Sequence, residues 1–130
     1  MADAQSAQSA QSAITRRLLA TREQWLELDP EGTPNRRALL VRRPAETELA
    51  RLRNGIDVED AARACVGWRG FTEAALLGPA LGSQDTQVPF LPDLCLEVLR
   101  DNAEWVNAVT ERMATALQAH IAARLETRKN

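Results

Sequence analysis

Apolar positions recur every three or four residues near the end of the chain: Trp105, Val106, Val109, Met113, Leu117, Ile121 and Leu125. This spacing puts them on one face of a long amphipathic helix. Asp101, followed by Glu104, gives that helix a capping start, and the charged end "RLETRKN" predicts fraying. A second, weaker pattern places Ile14, Leu18 and Leu19 on one side of a helix over Ala13–Thr21. Between these two helices the period changes. Trp25, Leu26 and Leu28 alternate loosely with polar residues, "DPEGTPN" is dense in turn formers, and "RALLVRR" is a compact apolar run. A β-hairpin pairing Gln24–Leu28 with Arg37–Arg42 is predicted, packed on helices because an isolated hairpin is marginal in water.

Pro44 then opens a helix, with Glu46 and Glu48 at its positive end, Leu49 and Leu52 on its apolar side, and Asn54-Gly55 to close it. Asp57, with Asp60 three residues on, reads as a capping box for "VEDAARACV", whose Ala61, Ala64 and Cys65 face inward. That helix is expected to end at Gly67 and to leave Trp68 as a wedge in a sharp corner. A short helix follows from an N-cap at Thr72 to Gly78. Next come an extended Val88-Pro89-Phe90 and a helix over Asp93–Leu99 introduced by Pro92. The expected fold is mainly α, a single small domain with an N-terminal β-hairpin and a long C-terminal amphipathic helix. Residues 1–13, with Gln-Ser-Ala three times over, are expected to form a disordered low-complexity arm, and residues 14–130 the globular domain.

Charge changes this picture little. The formal net charge is −2, which argues against nucleic acid as a partner. Residues 14–53 carry nine arginines against six acids, and residues 54–110 three against nine. Such asymmetry suits a solvated surface first, and pairing with copies of the same chain second. Arg36, Arg37, Arg42 and Arg43, with Arg16, Arg17 and Arg22, would form the only basic patch. It lacks interleaved aromatics, and strand alternation sends its members to opposite faces.

Candidate chemistry is sparse. Cys65 and Cys95 sit among apolar residues and read as small core hydrophobes in a reducing compartment. His120 is the only histidine, so a zinc site has too few ligands, and no motif supplies it with a catalytic partner. Asp101/Glu104 and Glu59/Asp60 are explained as helix starts. The dinucleotide, phosphate-loop, zinc-protease and nucleophile-elbow signatures are absent from the sequence. Trp25 and Trp105 are expected to anchor the core. No cofactor, metal site or catalytic residue is expected. No apolar run reaches membrane-spanning length, and the first residues lack a secretion signal, so the expected location is the host cell cytoplasm.

Gly67, Trp68, Gly70 and Thr72 in "CVGWRGFTEAALLG", Pro89 and Phe90 in "VPF", Lys129 and Asn130 at the end, and "LLVRRPAETEL" over Leu39–Leu49 carry a resemblance. The chain resembles the tail assembly chaperones of long-tailed bacteriophages, small proteins encoded next to the tape-measure protein. The resemblance spans roughly residues 14–130, its motifs are short, and the Gln-Ser-Ala arm departs from the pattern. It implies a non-enzymatic role: binding the long, helical, hydrophobic tape-measure protein, keeping it soluble, and helping tail-tube protein polymerise around it before leaving the particle. In many such phages a frameshift extends the chain, and the extension recruits the tail-tube subunit. A homo-oligomer is compatible with the role. The candidate partner-binding residues are Trp68, Phe71, Leu76, Leu77, Phe90, Trp105 and Val109. For most of them, membership of the chain's own core is the competing expectation. The alternative function is a structural virion protein, such as a head–tail connector or minor tail component.

Overall fold

The computed structural model describes residues 2–129, and side chains from Ser9 onward. The elements follow in the order α1 (Ala2–Ala20), β1 (Glu23–Glu27), β2 (Ala38–Arg42), a 3-10 turn (Glu46–Glu48) running into α2 (Leu49–Leu52), α3 (Val58–Ala64), β3 (Cys65–Arg69), α4 (Glu73–Leu77), α5 (Pro92–Arg100) and α6 (Ala103–Lys129). The three strands form one antiparallel sheet in the order β1-β2-β3. Helices α3, α5 and α6 pack on one another, and α6 also packs on β2. The result is a helical layer over a small sheet.

The expected hairpin is present, shifted by about one residue. Leu26 pairs with Leu39, and Gln24 with Val41. Leu26, Leu39 and Val41 are buried and join Cys65, Ala61, Phe71, Cys95, Leu99, Val109 and Met113 in one core. The turn-rich loop between the strands is fastened by Asp29. Its carboxylate accepts from the Arg37 amide at 2.9 Å and from the Arg37 guanidinium at 2.9 and 2.8 Å, while the Asp29 carbonyl accepts from Arg36 Nε at 2.8 Å.

Trp25 is not the core anchor the sequence suggests. Alternation along β1 sends Leu26 inward and therefore Trp25 outward. The ring is 40% exposed, with the Arg69 guanidinium 4.4 Å above it. The arginines around the hairpin also stand on carboxylates. Arg42 lies 3.8 Å from its cross-strand partner Glu23, and both Arg36 and Arg69 pair with Glu27.

The larger correction is at Cys65. The helix expected to run to Gly67 stops at Ala64, and Cys65 turns to φ −82°, ψ 125°. Residues Cys65–Arg69 are β3, paired with β2 through Leu39↔Trp68 and Leu40↔Gly67, with an irregularity between Leu40 and Val41. Val66 and Trp68 are strong strand formers, and β2 offers them a free edge. The start of α3 is as expected. Asp57 accepts from the Asp60 amide at 2.8 Å, and the Asp57 amide donates back to Asp60 at 3.3 Å. Ala61, Ala62 and Ala64 are buried, so small side chains let α3 lie close to its neighbours.

Cys65 and Cys95 are free thiols in the same core. A hydrogen bond with Cys95, reinforced by burial, pushes the Cys65 thiol far above its ordinary range.

Asp101 is not the cap of α6. It terminates α5, and in the first turn of α6 the amides of Trp105 and Val106 donate to the Asn102 carbonyl at 3.0 and 3.2 Å. Along α6, Val109, Met113 and Leu117 are buried, Ile121 is half-buried and Leu125 is 46% exposed. A helix of 27 residues is roughly 40 Å long, whereas five-residue strands reach roughly 17 Å, so its apolar stripe outruns the core. The charged end remains helical through Lys129, and Asn130 lies outside the described residues.

At the other end of the chain, α1 begins at Ala2, well before the expected Ala13, and takes in the Gln-Ser-Ala triplets. Ala and Gln favour helix strongly enough to extend it backward. Every described α1 side chain from Ser9 to Leu18 is exposed.

Candidate partner-binding site

The corner between β3 and α4 is set by backbone geometry. Gly70 has φ +79°, and a Cβ there would meet the Arg36 carbonyl oxygen at 2.3 Å. The chain can make this turn against the hairpin only with glycine. Phe71 follows, buried to 1% exposure. Thr72 then caps α4 by accepting from the Ala75 amide at 3.1 Å, and Gly78 ends it at φ +91°. The polar loop after α4 folds back: Val88 N donates to Phe71 O at 2.8 Å, and Thr72 bridges to Gln87.

An aromatic cluster fills the corner. Trp68 stacks on Phe71 with ring centroids 4.2 Å apart and meets Phe90 edge-on at 5.5 Å. Phe71 meets Trp105 edge-on at 6.2 Å. Trp68 Nε1 donates to Val88 O at 2.8 Å, so the polar atom of this half-buried ring is satisfied. Arg37, held by Asp29, lies 4.9 Å over the Trp105 ring.

Beside this cluster, α4 stands away from the junction of α5 and α6 and leaves a groove of about 330 Å³. Leu76 and Leu77 form one wall, Leu94, Val98 and Trp105 the other, and Phe71 the floor. Leu77 on its wall is 57% exposed. Arg37, Glu97, Asp101 and Asn102 give the groove a polar rim.

Of the seven residues expected to meet a partner, the fold brings Phe71, Leu76, Leu77 and Trp105 to this groove. Trp68 and Phe90 support it from behind Phe71. Val109 is wholly buried among core residues and does not reach it. The α5 wall, Leu94 and Val98, was not anticipated. Its signal lay in "LCLEVL", where the pair Leu94/Val98 runs beside the pair Cys95/Leu99, a wider apolar face than the core alone uses.

A second hollow, of about 240 Å³, lies between the end of β2, α2 and α3 and is lined by Arg42, Arg43, Arg51 and Arg63. Asp60 takes up two of them, Arg51 at 2.8 Å and Arg63 at 2.5 Å. The Arg51 bond leads in holding its carboxyl down to about 2. His120 is likewise engaged in joining elements. Its Nε2 lies 2.9 Å from Glu46, which also receives Arg124 at 2.7 and 2.8 Å. The bond from Arg124, then that from His120, lowers the Glu46 pKa, and the trio ties the 3-10 turn to α6.

Among the described residues no group of three His, Cys, Asp or Glu side chains could hold a metal ion. None of the described helices is long and apolar enough to cross a membrane. The arrangement can therefore offer an apolar groove with a charged rim, beside charged clusters that join elements of the fold. No protein-family model matches the chain, no curated protein matches it, and no solved structure matches its fold.

Proposed function

We propose that this protein is a non-enzymatic tail assembly chaperone of a long-tailed phage, acting in the host cytoplasm by holding helical segments of the tape-measure protein. The carrying observation is how the residues of the resemblance assemble. Trp68 and Thr72 from one motif and Phe90 from the other lie about 20 residues apart in sequence, yet they close into one corner around Phe71. That corner forms the floor and support of the apolar groove. Exposed Leu77 with half-buried Leu76 on one side, and half-buried Leu94 and Val98 on the other, suit the apolar face of a client helix, which presents side chains at i, i+3, i+4 and i+7. The groove is too small to enclose such a client, which fits transient, stoichiometric holding. Tail-tube protein is the second partner on this reading.

Co-expression tests it. The tape-measure protein alone should be insoluble and should become soluble with this chain. The variant Leu77→Glu, at an exposed position, should fold normally and lose most of that gain. No gain with the wild-type chain would end the reading. Mass spectrometry of purified particles should find the chain absent, and stoichiometric presence would favour a structural virion component.

A further inference from the structure

The geometry points to α1 as the occupant of the groove of a second copy of this chain, so that the free protein associates through its own N-terminal helix. Helix α1 has 19 residues. Its described side chains from Ser9 to Leu18 are all exposed and Leu19 is half-buried, so tertiary packing, the usual main source of helix stability, supports it little over that stretch. Ala10, Ile14 and Leu18 fall on one line at a spacing of four, and all three are exposed. Ile14 is 63% and Leu18 55% exposed. This narrow stripe of small and branched side chains suits a cleft walled by leucines on α4 and by Leu94, Val98 and Trp105 opposite.

Charge selects the same pairing. Arg17 flanks the Ile14–Leu18 stripe, and it makes no ion pair among the described residues. Asp101 on the groove rim and Glu104 beside it are also without an ion pair there, whereas Glu97 is taken by Arg100 at 2.6 Å. Among the described residues the helix therefore carries an unpaired cation beside its apolar line, and the groove rim carries one unpaired anion, Asp101, with Glu104 next to it in the chain.

The joint after α1 explains why the occupant is another copy. Thr21 N donates to Arg17 O and Leu18 O, Arg22 N donates to Leu19 O, and Arg22 O accepts from Arg43 N at 2.8 Å. A joint tied this way to both the helix and the sheet does not let α1 fold back onto its own groove, which lies by Arg37 at the far end of β2.

Light scattering of the full-length chain without any client tests this, independently of whether a tape-measure protein is the client. The expected mass is at least twice 14.3 kDa, reverting to the single-chain mass in Leu18→Glu and, at moderate salt, in Arg17→Glu. Because position 18 is solvent-exposed, circular dichroism should show the body of Leu18→Glu still folded. The charge swap Arg17→Glu with Asp101→Arg in one chain should restore association. A single-chain mass for the wild type across a dilution series, an assembly indifferent to Leu18→Glu, or a charge swap that restores nothing would each overturn the inference.

Discussion

Trp68 carries two separable interactions: a face stacked on Phe71 and an Nε1–H donated to Val88 O. Aromatic pairs contribute ~0.5–1.5 kcal/mol beyond burial, and a satisfied hydrogen bond ~1 kcal/mol. Trp68→Phe should therefore cost ~1–2 kcal/mol, through the lost bond and reduced stacking area. Trp68→Ala should cost roughly 3 kcal/mol, the low end for a large aromatic because the ring is only half-buried. Urea unfolding of both variants checks the order and the gap. Equal stability of Trp68→Ala and wild type, with loss of client solubilisation alone, would make the residue a contact surface instead of a support. Its importance was legible in the sequence, since a tryptophan between glycines is rarely idle. Its setting was not, because the partner that defines it, Leu39 across the sheet, lies 29 positions away and no local pattern encodes that pairing.

At the scale of elements, legibility followed how local the cause is. The Asp57–Asp60 capping box, the Thr72 cap and the long periodicity of α6 depend on residues within a turn or two, and each appears where the sequence placed it. β3 depends on an edge offered by β2, so the Ala-rich approach read as uninterrupted helix. The groove was half legible: Leu76, Leu77 and Trp105 were singled out, while the α5 wall emerges only once α4 is seen to stand apart from α5. The two glycines of "GWRG" separate these causes experimentally. A Cβ on Gly67 would sit 3.6 Å from Leu40, an ordinary contact, on a strand that gains from losing glycine's backbone freedom. A Cβ on Gly70 would strike backbone oxygen at 2.3 Å, at φ +79°. Gly67→Ala should be neutral or stabilising by ~0.5 kcal/mol. Gly70→Ala should destabilise by at least ~3 kcal/mol by forcing the hairpin and the β3–α4 corner apart. Thermal melts of the two variants, run side by side, should put Gly67→Ala at or above wild type and Gly70→Ala well below it. Similar melting points would mean that the corner does not depend on the Gly70 conformation.

For the whole molecule, the charge asymmetry along the chain becomes a set of fasteners between distant segments. Asp29 closes the hairpin loop on Arg37, which lies over Trp105 on α6. Asp60 draws α2 to α3 through Arg51, and Glu46 draws the 3-10 turn to the end of α6 through Arg124 and His120. Folding lowers the pKa of Asp29 from 3.8 to about 2, chiefly through the bond from Arg37, and that of Asp60 from 3.8 to about 2, chiefly through the bond from Arg51. Glu46 moves in the same direction, led by Arg124. Depressed folded-state values mean that the unfolded chain binds more protons in this window, so stability rises with pH across it. These contributions should be fully present above pH ~5, decline as pH falls through ~4, and be gone only near pH ~1, below the folded values. Wild-type urea midpoints measured between those limits should therefore fall steeply. Asp29→Asn should be less stable at neutral pH, because the Arg37 guanidinium over Trp105 loses its counter-charge, and should show a visibly flatter pH dependence. The variant should approach the wild type at the acid end, where the aspartate is protonated in both states. Parallel curves for the two proteins across the whole range would mean that Asp29 carries no charge-dependent part of the fold, leaving the loop to be closed by its turn residues alone.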